Sequence, residues 1–219
     1  MEYGSSYTLV RRKTGWWKRK ITPKAIEINA ICSFLDNKVD SRILDFGCDT
    51  GFLLDIIRKK NPSKNFEFCG ADINRYALNY ARRKYRDFTF FSIDDEFFDN
   101  EKFDVIILSH VLEHIRDRDG FVKNLKKLLK EDGVLIIAIP QERIRGDCTI
   151  IELSHNLMKG DFENPHVVKI NYQELNDLLA NNGLHIEEHI YTHLFYPFKS
   201  DKRRFDSCSL VTTCNFKPY

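Results

Sequence analysis

Three groups of residues in this 219-residue chain have the types and spacing to do chemistry. In RILDFGCDTGFLL, from Arg42 to Leu54, the residues Asp45, Gly47, Cys48, Asp49, Thr50 and Gly51 separate an apolar run from Phe52, Leu53, Leu54, Ile56 and Ile57 at helical spacing. Strand, glycine-bearing turn and helix in that order aim backbone N–H groups, and the positive end of a helix dipole, above a sheet edge. Ligands of open α/β sheets bind there. Asp72 closes the next apolar segment, 25 residues after Gly47, where a carboxylate can accept both vicinal hydroxyls of a ribose. Ser109, His110, Glu113 and His114 follow a third apolar run as SHVLEH. An imidazole titrating near neutrality can take a proton from a hydroxyl nucleophile.

The elements needed to position these residues are legible along the chain. Thr22 and Pro23 start a helix over 23–36, with Ile26, Ala30, Ile31, Phe34 and Leu35 on its apolar face. The strand carrying Asp45 leads into a helix over 51–60, then a strand at 66–72, a helix at 74–85 and a strand at 88–93. FDVIILS, 103–109, reads as a strand buried on both faces. A helix at 119–131 precedes a fifth strand that begins at Gly133 and ends at Pro140. Residues 141–170 lack periodicity, and 141–168 reads as a lid or substrate platform inserted in the domain. Asn171 with Glu174 opens another helix, and strands at about 184–195 and 207–216 follow. Alternation of this kind predicts one domain over 1–219 built on a doubly wound, mostly parallel sheet.

The turn is not a dinucleotide fingerprint, because Asp49 and Phe52 stand where glycines belong, and no P-loop lysine follows. It resembles motif I, D-x-G-x-G-x-G, of the class I S-adenosylmethionine (SAM)-dependent methyltransferases. Asp45, Gly47 and Gly51 match it, and Asp49 replaces the middle glycine. Asp tolerates left-handed backbone better than most residues. The resemblance covers about 21–216 through ordered motifs at 43–51, 70–74, 103–115 and 128–140. It implies an α/β Rossmann-like, seven-stranded sheet of order 3-2-1-4-5-7-6 with the last strand antiparallel and helices on both faces. It also implies SAM as cofactor and methyl transfer to a small-molecule acceptor.

Residue by residue, the resemblance places Asp45, Gly47, Cys48, Asp49, Gly51, Asp72, Ile73 and Asn74 around the cofactor. Ile93 would face the adenine, with Ser92 or Asp94 as its polar partner. Ser109 and His110 would contact the cofactor, His110 along its methionine moiety; His114 and His110 are the catalytic candidates, with His114 near the methyl as base. The His110/His114 pair favours an oxygen acceptor. Some relatives bind a divalent metal through E-x-x-E-H at this point; here His110 replaces the first Glu, and no metal site is expected. His155 and His166 read as pocket or structural residues. The alternatives are a non-catalytic SAM-binding module, which Asp49 would favour, and an RNA methyltransferase.

Composition sets the outer bounds. Hydrophobic residues at 42%, charged residues at 30% and a net charge of +2 describe a soluble globular chain. No apolar run is long enough to span a membrane, no signal peptide is apparent, and six cysteines without CxxC pairing read as reduced thiols of a cytoplasmic protein. The charge is uneven: residues 1–24 hold seven Lys/Arg against Glu2, with Trp16 and Trp17 among them. Such a basic-aromatic arm, 1–21, can contact nucleic acid, an anionic surface or an acidic substrate. It is expected to fold over the site with 141–168. Together they would supply Tyr3, Tyr7, Trp16, Trp17, Arg143, Arg145, His155 and His166 to a polar or anionic acceptor.

Overall fold

A computed structural model describes residues 22–94, 101–141 and 170–216. The apolar runs form strands β1 (Ser41–Phe46), β2 (Phe66–Asp72), β3 (Thr89–Ser92), β4 (Phe103–Ser109), β5 (Leu129–Pro140), β6 (Leu184–His193), β7 (Lys199–Ser200) and β8 (Ser207–Phe216). They make one sheet of order β3-β2-β1-β4-β5-β8-β6-β7. The first five strands pair in parallel, and β8 runs antiparallel to both β5 and β6. The expected order is therefore present with one correction. The sheet has eight strands, because the two-residue β7 pairs with the outer edge of β6, and two residues give no periodicity to read.

Helices α1 (Pro23–Ser33), α2 (Phe52–Lys60), α3 (Arg75–Lys84), α4 (Arg118–Leu128) and α5 (Tyr172–Asn181) cover both faces. Alternate residues of one strand feed two separate cores. Leu44, Ile106 and Leu108 pack with Val122, Leu125, Leu175 and Leu179 of α4 and α5. Ile43, Val105 and Ile107 pack with Ile28, Ile31, Leu54, Ile57 and Leu78 of α1, α2 and α3. Burial on both faces is why these strands read as unbroken apolar runs.

The local start signals operate as the residue types dictate. The Thr22 hydroxyl accepts from the Ala25 N–H, with Pro23 at the first helical position. Asn171 and Glu174 form a reciprocal capping box on α5. The expected helix at 119–131 ends earlier, at Leu128, because Leu129 turns extended and pairs with Phe103, so β5 begins four residues before Gly133. Gln141 closes the next connection: its N–H donates to the Cys208 carbonyl at 2.8 Å, and its side-chain amide donates to the Ile170 carbonyl at 2.9 Å. Gln141 and Ile170 thus lie together beside the carboxyl end of β5. The expected lid, with Arg143, Arg145, His155 and His166, lies outside the described residues, as does the 1–21 arm.

Candidate cofactor and acceptor site

The glycine turn is pinned to the neighbouring strand. Gly47 and Cys48 both donate their N–H to the Ala71 carbonyl, at 2.7 and 3.0 Å. Gly47, Asp49 and Gly51 all have positive φ, at 84°, 47° and 74°. A Cβ on Gly47 would lie 2.5 Å from Val111 Cγ2, so this position needs glycine for both its backbone and its neighbour. Asp49 adopts the left-handed conformation expected of it, and Gly51 is the N-cap of α2.

Asp72 is held by that turn. Its carboxylate accepts from the Asp49 N–H at 2.7 Å and from the Asn74 N–H at 2.7 Å. Asn74 caps α3 through its side chain, accepting from the N–H groups of Tyr76 and Ala77. Because the backbone of residue 49 makes the contact, Asp49→Gly is expected to retain or raise SAM affinity. Titration calorimetry showing a large loss would mean that the Asp49 carboxylate itself touches the ligand.

The segment after β4 is organised by a residue that sequence reasoning missed. Glu27, in α1, is 1% exposed. It takes His110 Nε2 at 2.7 Å, Lys24 Nζ at 2.6 Å and the Ser109 hydroxyl at 3.2 Å; the Ser209 hydroxyl of β8 also donates to it. Lys24 Nζ further donates to Ser109 Oγ at 2.9 Å. His110 itself is left-handed, with φ 59°, and its N–H continues the sheet to the Ala138 carbonyl at 3.0 Å. Its other ring nitrogen lies 3.4 Å from Glu113 Oε1.

This network sets protonation. Burial works against ionising Glu27, but the charges and hydrogen bonds of His110 and Lys24 outweigh it and hold its carboxyl well below the usual range. Burial, joined by the Lys24 charge, would lower the His110 pKa; the Glu27 charge and hydrogen bonds to the Glu113 and Glu27 carboxylates together outweigh them and push it up to about 10. His110 is therefore an imidazolium at neutral pH, a proton donor fixed in place. Asp45 moves the other way for a carboxylate: burial pushes it up to about 7, with Lys24 opposing and Asp72 and Asp49 reinforcing the rise.

Eleven of the candidate residues line one cavity of about 560 Å³: Asp45, Gly47, Cys48, Asp49, Asp72, Ile73, Asn74, Ile93, Ser109, His110 and His114. Lys24 joins them. Three candidates stand elsewhere. Gly51 begins α2, Ser92 is buried at the end of β3, and the Asp94 carboxylate is exposed, 3.9 Å from Arg75. His114 sits in the 3-10 turn Leu112–His114, on the exposed side of the segment. Among the described residues no group of three or more His, Cys, Asp or Glu is placed to hold a metal ion.

The donor set of this cavity fits SAM. Asp72 offers free lone pairs to vicinal hydroxyls, Ile93 and the 60%-exposed Ile73 offer an apolar face to a base, and carboxylates favour a cationic ligand. The open sheet with its reversed β8, the pinned glycine turn and the acid ending β2 define a class I, SAM-dependent methyltransferase domain. The Methyltransferase domain family matches residues 22–189, and the chain belongs to that family.

Curated relatives are similar over part of their length. A ubiquinone biosynthesis O-methyltransferase of Glaesserella parasuis is 28% identical over 136 residues, 56% of this chain and 58% of that protein. A malonyl-[acyl-carrier protein] O-methyltransferase of Acetivibrio thermocellus is 33% identical over 104 residues, 46% of this chain and 36% of that protein. The chain thus spans little more than half the length of the first and about a third of the second. Among solved structures, a TehB-like SAM-dependent methyltransferase of Corynebacterium glutamicum superposes with a TM-score of 0.64 at 16% identity, covering 97% of both chains. Magnesium protoporphyrin IX methyltransferase of Synechocystis, with bound SAH, gives 0.59 at 17% identity, covering 95% of this chain and 99% of that one. At these identities the likeness is one of fold.

Proposed function

We propose that this chain transfers the methyl group of SAM to an oxygen atom of a small-molecule acceptor. The observation that carries the reading is convergence: the glycine turn, Asp72 and the His110–His114 segment, separated in sequence, line one cavity. Bound SAM supplies a sulfonium methyl that an in-line nucleophile displaces, so the protein's work is to bind, orient and exclude water. Asp72, oriented by two backbone N–H groups, accepts the ribose hydroxyls, while Ile73 and Ile93 flank the base. Lys24 and His110 present positive charge to the carboxylate end. His110 is already protonated, which leaves His114 as the group that takes the acceptor's proton. The O-methyltransferase names of the curated relatives support oxygen over nitrogen.

In this reading the chain works as one domain, with 1–21 and 141–168 covering the acceptor. Deleting residues 1–15 should then lower turnover while leaving SAM affinity intact; unchanged turnover would remove the arm from the site. Asp72→Ala should weaken SAM binding by roughly 1–3 kcal/mol through loss of charge-assisted hydrogen bonds, measured by calorimetry. The experiment that tests the function itself is transfer of labelled methyl from SAM to panels of hydroxylated metabolites, small carboxylic acids and tRNA. Label in an ether or ester product supports the reading. Label in tRNA alone, or no SAM binding, sinks it.

A further inference from the structure

Eight large hydrophobic side chains are exposed among the described residues, and five of them sit in one connection: Leu194, Phe195, Tyr196, Phe198 and Phe205. Tyr196 is 84% exposed and Phe205 72%. Exposed apolar side chains gathered in one connection, rather than scattered singly, point to an interaction site. The side chains are grouped, with Phe195 and Phe205 ring centroids 6.4 Å apart and Tyr196 and Phe198 6.2 Å apart.

This connection, 194–206, runs from β6 through the short β7 to β8 and is held from beneath by buried polar groups. Asp206 takes the Phe195 N–H at 2.9 Å through its carboxylate and the Leu194 N–H at 3.0 Å through its carbonyl. His193, fully buried, lies against the Ser207 and Ser200 hydroxyls at 3.2 and 2.9 Å, and its N–H donates to the Phe198 carbonyl at 2.7 Å. The aromatic tip is therefore preorganised outward.

Its charges are of one prevailing sign. Lys199, Lys202, Arg203 and Arg204 stand against Asp201 and Asp206, and Asp206 is buried and paired with Arg204 at 3.1 Å. Lys202 and Arg203 are exposed in the same connection as the aromatic rings. Aromatic side chains with flanking cations match the headgroup layer of an anionic bilayer, where amphipathic rings settle and each nearby cation adds attraction. An aliphatic leucine and a proline at a projecting tip favour lipid over the flat faces of nucleic-acid bases. No described helix is long and apolar enough to cross a membrane, so the contact is peripheral. The tip also lies on the cavity's side of the sheet. The β6 end and β8 start share the edge where Pro140 closes β5, and Lys199 Nζ reaches the Asn29 carbonyl of α1 at 3.4 Å.

We propose that residues 194–206 dock this protein on an anionic lipid bilayer, with Phe195, Tyr196 and Phe205 entering the headgroup layer and Lys202 and Arg203 meeting its negative charge. The proposal stands apart from methyl transfer, and its test uses no turnover. The full chain is sedimented with phosphatidylcholine vesicles and with vesicles in which phosphatidylserine replaces part of that lipid. Binding is expected to the second and to weaken with added salt. Replacing Lys202 and Arg203 together by Gln should lower partitioning roughly thirtyfold, and Phe195→Ser, Tyr196→Ser and Phe205→Ser combined should abolish it. Circular dichroism confirms that each variant is folded.

Three results would overturn the proposal. One is equal or absent binding to both vesicle types. Another is loss of binding on deletion of 1–21 with the loop variants unaffected. The third is failure to bind vesicles combined with aromatic-dependent capture of a single-stranded oligonucleotide or self-association, which would make the tip a nucleic-acid or subunit interface instead.

Discussion

Glu27→Ala is expected to destabilise the fold by roughly 3–5 kcal/mol, the usual effect of breaking a buried ion pair from one side. The substitution leaves Lys24 and His110 without the carboxylate that both contact, and it removes an acceptor from the hydroxyls of Ser109 and Ser209. The pH dependence identifies the mechanism. Glu27 has a depressed folded pKa, so its contribution is present above the ordinary value of 4.5 and is lost as pH falls through the lower folded one. His110 has a raised folded pKa, so its contribution is full below 6.5 and is lost as pH rises toward about 10. The gap between wild type and variant should thus be widest between 4.5 and 6.5 and close progressively in alkali. Urea unfolding across pH measures it. Glu27→Gln supplies a second readout, since nuclear magnetic resonance should show the His110 imidazole titrating at lower pH once the Glu27 charge that raises it is gone. A His110 titration unchanged by either substitution would refute the pairing.

His114→Gln is expected to lower kcat by roughly 10²–10⁴, the range for a positioned general base, with SAM affinity unchanged. The argument is one of elimination inside the cavity. Among the described residues two histidines line it, and the Glu27 charge raises the proton affinity of His110, which suits that ring to stabilising charge rather than to accepting a proton. His110→Gln should then act differently, through stability and cofactor binding rather than through the proton-transfer step. Measuring KM for SAM, kcat and the pH profile of each variant separates them. A His114→Gln enzyme within a few-fold of wild-type kcat would place the base elsewhere, or show that the acceptor arrives ionised.

Much of this arrangement could be read from residue types because the signals were local. An apolar run bounded by polar residues is sufficient to identify β4, and Asn171 three residues before Glu174 is sufficient to start α5. Asp72 could be placed because it ends β2, which the chain announces with GAD. Glu27 escaped because its meaning is tertiary. It sits three and four residues before Ala30 and Ile31, on the apolar face of α1, where a carboxylate makes sense only if a cation meets it. The partner His110 is 83 residues away. An acid in the middle of a buried stripe, with Lys24 one turn earlier, was the available signal. The proposed polar partner of an adenine was ambiguous for the opposite reason: β3 is four residues long, so a shift of two residues exchanges the buried Ser92 for the exposed Asp94.

The reach of Glu27 has a consequence for the order in which the molecule can be made. Its contacts to Ser109 and Ser209 span 82 and 182 residues, the second among the longest separations the chain allows. During synthesis α1 emerges early, with Lys24 the described cation beside its acid. The imidazole arrives halfway along, and the last hydroxyl arrives only when β8 has formed between β5 and β6. Contacts this distant close slowly, because the loop entropy must be lost before they contribute. A nascent chain stalled before Ser209 therefore carries the glycine turn and Asp72 on a sheet in which β8 does not yet bridge β5 and β6. Ligand competence and completion of the carboxyl-terminal strand should appear together.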